Sequence, residues 1–189
     1  MNKIRIIGGK FQRRLLHTPQ NRSIRPSDSR TKKALFDILT HVYPVFLDST
    51  RMLNIFAGTG SVGFEALSRG CHYVLFVDNN SESIRLIRRN SELLGVEKNC
   101  NIFFRDVLRL GKIGNISPFQ LVYLDPPYGQ GLAQQALAII DKEGWLEPNA
   151  LVIIEEYAGT CISVGAAFHF LQERKYGDTK IYFFSYNPV

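Results

Sequence analysis

From Met52 onward, apolar β-rich runs alternate with stretches of helical periodicity, and this alternation leaves few folds open to the chain. Runs at 52–56, 73–78, 101–104, 120–124 and 150–155 read as strands. Helical spacing of apolar residues marks 61–69, 81–94 and 131–141, and a loop follows 104. Strands alternating with helices imply a parallel sheet with helices on both faces. The aromatic tail breaks the pattern. Segments 167–174 and 179–186 flank the turn signal Gly177-Asp178 and read as a hairpin. There is no internal repeat and no low-complexity segment.

Upstream of Met52 the character changes. Residues 1–33 hold ten Lys or Arg against one acid, Asp28, a charge of +9; the other 156 residues hold 13 basic and 16 acidic side chains, or −3. A basic segment on a mildly acidic body is an electrostatic footprint for nucleic acid. Lys3, Arg5, Lys10, Arg13, Arg14, Arg25 and Arg30 are its candidate RNA contacts, with Arg25 and Arg30, which precede the helix leading into the first strand, equally placed to face the carboxylate of a cofactor. Around Gly8-Gly9 the alternation of apolar and basic residues suggests a small hairpin or an irregular arm. Ser27 or Asp28 is placed to cap a helix carrying Ala34, Leu35, Ile38, Leu39 and Val42, which ends before Pro44. The expected organisation is a basic extension over 1–48 and a catalytic domain over 49–189.

Negative features narrow the class. No apolar run reaches the roughly 18 residues of a membrane helix, and the N-terminus has no signal-peptide core. Cys71, Cys100 and Cys161 make no zinc spacing or disulfide framework, which fits a reducing cytoplasm. His17, His41, His72 and His169 fall in no metal or acid–base spacing and read as surface or packing residues. No metal is expected.

Two motifs carry chemistry. Phe56-Ala57-Gly58-Thr59-Gly60-Ser61-Val62-Gly63 follows a strand and opens a helix, and its glycines let the backbone turn sharply beside a ligand. Asp78 ends the next strand, 20 residues after Gly58, where a carboxylate accepts ribose hydroxyls. Asp106 ends the third strand, where it is placed to accept from an adenine amine. Together these point to an adenosine-containing cofactor without separating NAD from S-adenosylmethionine.

The second motif makes that separation. Asp125-Pro126-Pro127-Tyr128 follows the apolar strand ending at Leu124. Two prolines stiffen the turn, so a backbone carbonyl and the Asp125 carboxylate become acceptors at fixed places. Tyr128 offers a face for a base to stack on. The lone pair of an exocyclic amine is conjugated into its ring. Acceptors aimed at its protons favour the geometry in which that lone pair points at a methyl donor.

Assembled, these residues resemble the RsmD-like methyltransferases, which methylate the N2 amine of one guanine in 16S ribosomal RNA. The resemblance rests on Ile6-Ile7-Gly8-Gly9, Arg25-Pro26-Ser27 with Arg30, Leu35-Phe36, the Gly loop, and Phe64-Glu65-Ala66-Leu67-Ser68-Arg69-Gly70. Asp125-Pro126-Pro127-Tyr128 and Arg174-Lys175-Tyr176-Gly177-Asp178-Thr179 complete it. It implies a class I, Rossmann-like α/β fold: a seven-stranded, mostly parallel sheet with a C-terminal antiparallel hairpin, plus the N-terminal hairpin and helix. It implies S-adenosylmethionine as donor and S-adenosylhomocysteine as product. Asn54, Phe56, Gly58, Gly60, Asp78, Asp106 and Val107 would line the cofactor, and Asp125, Pro126, Pro127 and Tyr128 would hold the guanine. Two positions depart from the pattern: Asn54 stands where an Asp is usual, and Ser29 stands where an acid usually precedes Arg30. The expected partner is 16S rRNA in an assembled or partly assembled small subunit, met by a cytoplasmic monomer.

An adenine-N6 methyltransferase acting on DNA or RNA is the alternative within the same chemistry. A nicotinamide-dependent oxidoreductase would leave Asp125-Pro126-Pro127-Tyr128 without a role, and a non-catalytic RNA-binding module would leave the Gly loop unexplained.

Overall fold

The computed structural model describes residues 4–19 and 29–188. Two short strands, β1 (Ile4–Arg5) and β2 (Leu15–Leu16), pair antiparallel as a hairpin. Helix α1 (Ser29–His41) and a 3-10 turn at Pro44–Phe46 lead into the main sheet. The sheet is built from β3 (Arg51–Ile55), β4 (Tyr73–Asp78), β5 (Cys100–Phe104), β6 (Phe119–Leu124), β7 (Leu146–Tyr157), β8 (Phe168–Tyr176) and β9 (Thr179–Tyr186). Helices α2 (Ser61–Arg69), α3 (Ser81–Leu94) and α4 (Leu132–Lys142) connect its parallel strands. The capping residues expected at Ser27 and Asp28 lie outside the described residues.

The strand order is β5-β4-β3-β6-β7-β9-β8. The first five run parallel; β9 lies antiparallel to β7, and β8 antiparallel to β9. The sequence pattern implies the parallel sheet, and the whole order is the class I methyltransferase architecture that the family resemblance implies. The chain moves outward from β3 in one direction and from β6 in the other. The switch point therefore falls between those two strands, where ligands collect in open α/β sheets.

Strand periodicity divides the core into two layers. Met52, Val74, Phe76, Leu121, Tyr123, Ile153 and Phe183 face α1, α2 and α3. Leu53, Ile55, Leu75, Val122, Leu124, Val152 and Phe184 face α4 and Trp145. Ile4, Ile6 and Leu16 of the hairpin and Leu35, Phe36 and Leu39 of α1 belong to the first layer, so residues before 49 share the core of those after it. Tyr43 stacks on Phe183 at 5.8 Å and accepts from Gln172 Nε2 at 2.8 Å, which ties the same segment to β8 and β9.

Helix limits at 61–69 and 81–94 match the periodicity, because the signals that end those helices are local. Asn80 caps α3 by accepting from Glu82 and Ser83 N–H, and Gly95 closes it in the left-handed region. Strand β7 starts earlier than the pattern suggests. The expected strand begins at 150, yet Leu146 already pairs with Phe119. The pairing then shifts register before Leu121, and Asn149 sits at φ 66°. The breaker residues Pro148 and Asn149 form a bulge inside a strand rather than a boundary.

Candidate active site

The loop after β3 is wound tightly. Phe56, Gly58 and Gly60 all have positive φ, at 55°, 55° and 76°. For Phe56 that conformation costs about 1–2 kcal/mol, strain of the kind that collects at ligand sites. Gly60 is confined as well as turned: a Cβ there would lie 2.7 Å from the Phe64 ring. Glycine at 60 thus lets the loop pack against Phe64 of α2 and Ile87 of α3 as it turns into the helix.

Asp78 fixes this loop. Its Oδ2 accepts from Gly58 N–H at 2.8 Å and its Oδ1 from Asn80 N–H at 2.8 Å. The Ser83 side chain and Asn79 backbone also donate to the group, which therefore sits in a cradle of donors at the strand end. Burial raises its pKa above the ordinary carboxylate value, and the hydrogen bonds from Gly58 and Asn80 oppose that rise. The neighbouring strand ends are tied in: Ala57 N–H donates to Val77 O, and Arg105 N–H donates to Asp78 O. Asp106 accepts from Leu108 N–H at 3.0 Å and caps a 3-10 turn at Val107–Arg109, in which Val107 is buried. Asn54 is buried in β3, level with Phe76 and Tyr123.

The cofactor role of Asp78 has a direct test. Asp78→Ala removes a charged acceptor and frees the Gly58 N–H. Hydrogen bonds to charged groups contribute about 1.5–3 kcal/mol, roughly ten- to a hundredfold in Kd. Calorimetry with S-adenosylmethionine should show that loss. The wild-type affinity should also begin to fall on acidification at a pH above the usual carboxylate range, since protonation removes the charge and turns one acceptor oxygen into a donor. Unchanged affinity in the variant would remove Asp78 from the site.

The Asp-Pro-Pro-Tyr turn lies across the switch point from the Gly loop. Asp125 N–H reaches Ile55 O at 3.5 Å, so the end of β6 is held to the end of β3. Pro126 is buried, Pro127 exposed, and Asp125 and Tyr128 half-buried. Tyr128 is anchored at both ends: its hydroxyl is 3.1 Å from Thr179 Oγ1, and its ring lies 6.4 Å from that of Tyr157.

Two acids at the end of β7 were not singled out from the sequence. Leu124 pairs with Ile154, which places Glu155 level with Asp125. Glu155 Oε2 accepts from the Tyr123 hydroxyl, both groups being buried. Burial, followed by the charges of Glu155 and Asp125, pushes the Tyr123 phenol well above its ordinary value, so it stays a donor. Glu156 is 1% exposed; its Oε1 accepts from Tyr157 N–H at 2.8 Å and from Gly129 N–H at 3.3 Å. It therefore staples the exit of the Asp-Pro-Pro-Tyr turn to β7. The available signal was a pair of adjacent acids ending an apolar run on the rim.

The N-terminal basic residues stand on a docked hairpin. Arg5, Lys10, Arg13 and Arg14 are exposed on it, and Arg30 is exposed on α1; Lys3 and Arg25 lie outside the described residues. Gly9 shows how close the docking is, since a Cβ there would fall 1.8 Å from Ser68 O. His17 is bonded through its backbone to Asn90, and His41, His72 and His169 are exposed. Among the described residues no helix is long and apolar enough to cross a membrane, and no three His, Cys, Asp or Glu side chains cluster to hold a metal.

A family model described as conserved hypothetical protein 95 matches residues 4–185. The chain is also 31% identical to ribosomal RNA small subunit methyltransferase D of Haemophilus influenzae, over 81% of this chain and 78% of that one. This chain belongs to the RsmD-like family. Its fold superposes on an Escherichia coli structure assigned provisionally as a methyltransferase, with a TM-score of 0.87, 25% identity and full coverage of both chains. An RNA methyltransferase from Salinibacter ruber, solved with S-adenosyl-L-homocysteine, shares the fold at a TM-score of 0.65 and 13% identity, covering 87% of this chain and 95% of that one. In this RsmD-like chain the two motifs that carry the resemblance meet at one rim, with the Gly loop and Asp78 on one side of the switch point and Asp125 and Tyr128 on the other.

Proposed function

We propose that this protein methylates the N2 amine of a guanine in small-subunit ribosomal RNA, with S-adenosylmethionine as methyl donor. The observation that carries the proposal is the rigid Asp125-Pro126-Pro127-Tyr128 turn, tied to Ile55 O beside a Gly loop that Asp78 holds open. The names of the rRNA methyltransferase relatives and the S-adenosylhomocysteine found in a structural neighbour support it.

The residues present suit this donor. Positive-φ backbone at Gly58 and Gly60 winds the loop tightly over the end of the sheet, Asp78 stands at the end of β4 for the ribose, and Asp106 at the next strand end for the adenine. When bound, the donor supplies an electrophilic methyl group on a sulfonium and leaves as S-adenosylhomocysteine. The work of this chain is to present the amine. Tyr128 stacks on the guanine and the Asp125 carboxylate accepts one N2 proton. A carbonyl of the proline turn takes the other. The nitrogen lone pair is thereby directed out of the ring plane, and the proton released on transfer leaves through Asp125. The carboxylates of Glu155 and Glu156 on the same rim add negative potential that favours a nitrogen developing positive charge.

Tyr128 variants test the arrangement on small subunits that lack the modification. Tyr128→Ala should lose stacking of about 1–3 kcal/mol, and Tyr128→Phe should keep the ring while giving up the Thr179 hydrogen bond, about 0.5–1.5 kcal/mol. Equal damage in both would show that the hydroxyl, not the ring, matters. No methyl transfer to guanine by the wild-type protein would contradict the proposed activity itself.

A further inference from the structure

The sequence places the positive charge at the N-terminus and leaves the body at −3. The fold changes that partition. Asn90, fully buried on α3, accepts from His17 N–H at 2.7 Å, and its amide donates to His17 O at 3.2 Å and to Thr59 O at 3.3 Å. One side chain therefore binds the hairpin's exit to α3 and to the cofactor loop. Arg85, Arg88 and Arg89, in the turn and a half before Asn90, are all exposed on the outer face of α3. Among the described residues none of the three has a carboxylate partner. The exposed Arg5, Lys10, Arg13 and Arg14 of the hairpin are likewise outside the ion pairs of the described residues, and residues 4–19 contain no acid. Against these cations α3 sets an exposed Glu92 and a half-buried Glu82 that is already engaged.

Arg85 and Arg89 lie one helical turn apart on the same face, with side chains about 5–6 Å apart at their roots. Arg85 is about 6 Å along the axis from Ser81, the first residue of α3, which follows Asp78 closely. The arginine row thus begins one turn from the strand end that carries Asp78 and runs along α3 to the level of Asn90, which holds the exit of the hairpin. Guanidinium groups without carboxylate partners bind phosphate oxygens through paired N–H donors. We propose that the outer face of α3, through Arg85, Arg88 and Arg89, continues the basic surface of the hairpin and grips the phosphate backbone of the RNA substrate. This rests on the reading of the protein as an rRNA methyltransferase.

The test compares two charge reversals of equal size. Arg85→Glu with Arg89→Glu alters the proposed surface; Lys112→Glu with Lys142→Glu alters exposed lysines just before β6 and at the end of α4. Binding to small subunits lacking the modification is measured across salt concentrations, with S-adenosylmethionine affinity read by calorimetry. The α3 variant should bind subunits about tenfold more weakly or worse near physiological salt. Its log–log salt slope should flatten by about 1.4–1.8, the loss of two phosphate contacts. Its cofactor affinity should be unchanged, and the lysine variant should bind subunits like wild type. Arg85→Gln with Arg89→Gln should shift the same way by less. Wild-type affinity and slope in the α3 variant, or equal losses in both charge reversals, would overturn the proposal while leaving the activity intact. Failure of the wild-type protein to bind subunits would overturn the rRNA reading and this proposal with it.

Discussion

Asp125→Ala is expected to lose about 10²–10³ in kcat while S-adenosylmethionine affinity stays near wild type. Removing one positioned group that stabilises developing charge typically costs that much. The two effects separate because Asp125 N–H to Ile55 O, the contact that holds the turn to the end of β3, is made by backbone and alanine keeps it. Asp125→Asn retains an acceptor oxygen without the charge and should fall between wild type and alanine. Single-turnover methylation of saturating subunits measures the chemical step, and calorimetry measures cofactor binding. An alanine variant with near-wild-type turnover would show that the amine is held elsewhere. One that lost cofactor affinity in parallel would show that Asp125 shapes the cofactor site instead.

Glu65→Ala is expected to destabilise the fold by about 3–5 kcal/mol, the usual result of removing one partner from a buried charge pair. Glu65 is fully buried on α2, and everything around it donates. Its Oε2 accepts from Ile7 N–H at 2.7 Å; its Oε1 accepts from Gly8 N–H and Arg69 Nε, both at 2.8 Å. Lys32, 3% exposed, lies 3.9 Å from the carboxylate and donates to Arg5 O at 3.1 Å. Burial lowers the Lys32 pKa, and Glu65 opposes that shift, so without Glu65 the ammonium stays buried with little compensation. Denaturant unfolding reads the loss directly, and at this size it corresponds to a melting point about 6–20 °C lower. Glu65→Gln keeps one acceptor and should lose less. A loss below about 1 kcal/mol from the alanine change would mean that the hairpin is held by its apolar residues alone.

Glu65 also marks the limit of what the sequence makes legible. The loop, the strand ends and the Asp-Pro-Pro-Tyr turn could be placed beforehand because each is written in consecutive residues: a strand pattern, then glycines, then helical spacing. Asp78 was found the same way, as the acid ending the second strand. Glu65, Asn90 and Glu156 act differently. Glu65 reaches back 58 residues to Ile7, Asn90 reaches 73 to His17, and Glu156 reaches 27 to Gly129. Nothing local in a helical glutamate or asparagine announces a backbone that arrives from so far away. The bulge at Pro148-Asn149 escaped for a related reason, since the residues that signal a turn also serve inside a paired strand.

The charge argument was altered by the fold for the same cause. Read along the chain, the basic residues form a separate extension of +9. Read in space, their hairpin is pinned to α2 by Glu65 and Ser68 and to α3 by Asn90. An extension held this firmly presents its arginines in fixed positions relative to the cofactor loop. On the proposed function, phosphate contacts made there would set register and orientation, and the pocket at Asp125 and Tyr128 would choose the base.

The central claim is that this rim methylates guanine N2 in small-subunit rRNA, and nucleotide-resolution mapping of rRNA methylation from a strain lacking the protein tests it most directly. The account predicts that one N2-methylguanine disappears from the small-subunit RNA, with adenine-N6 methylation unchanged. The purified protein with S-adenosylmethionine should restore that mark on the deficient subunits, and the Asp125→Ala variant should not. An unaltered set of guanine marks, or the loss of an adenine-N6 methyl group in their place, would contradict it.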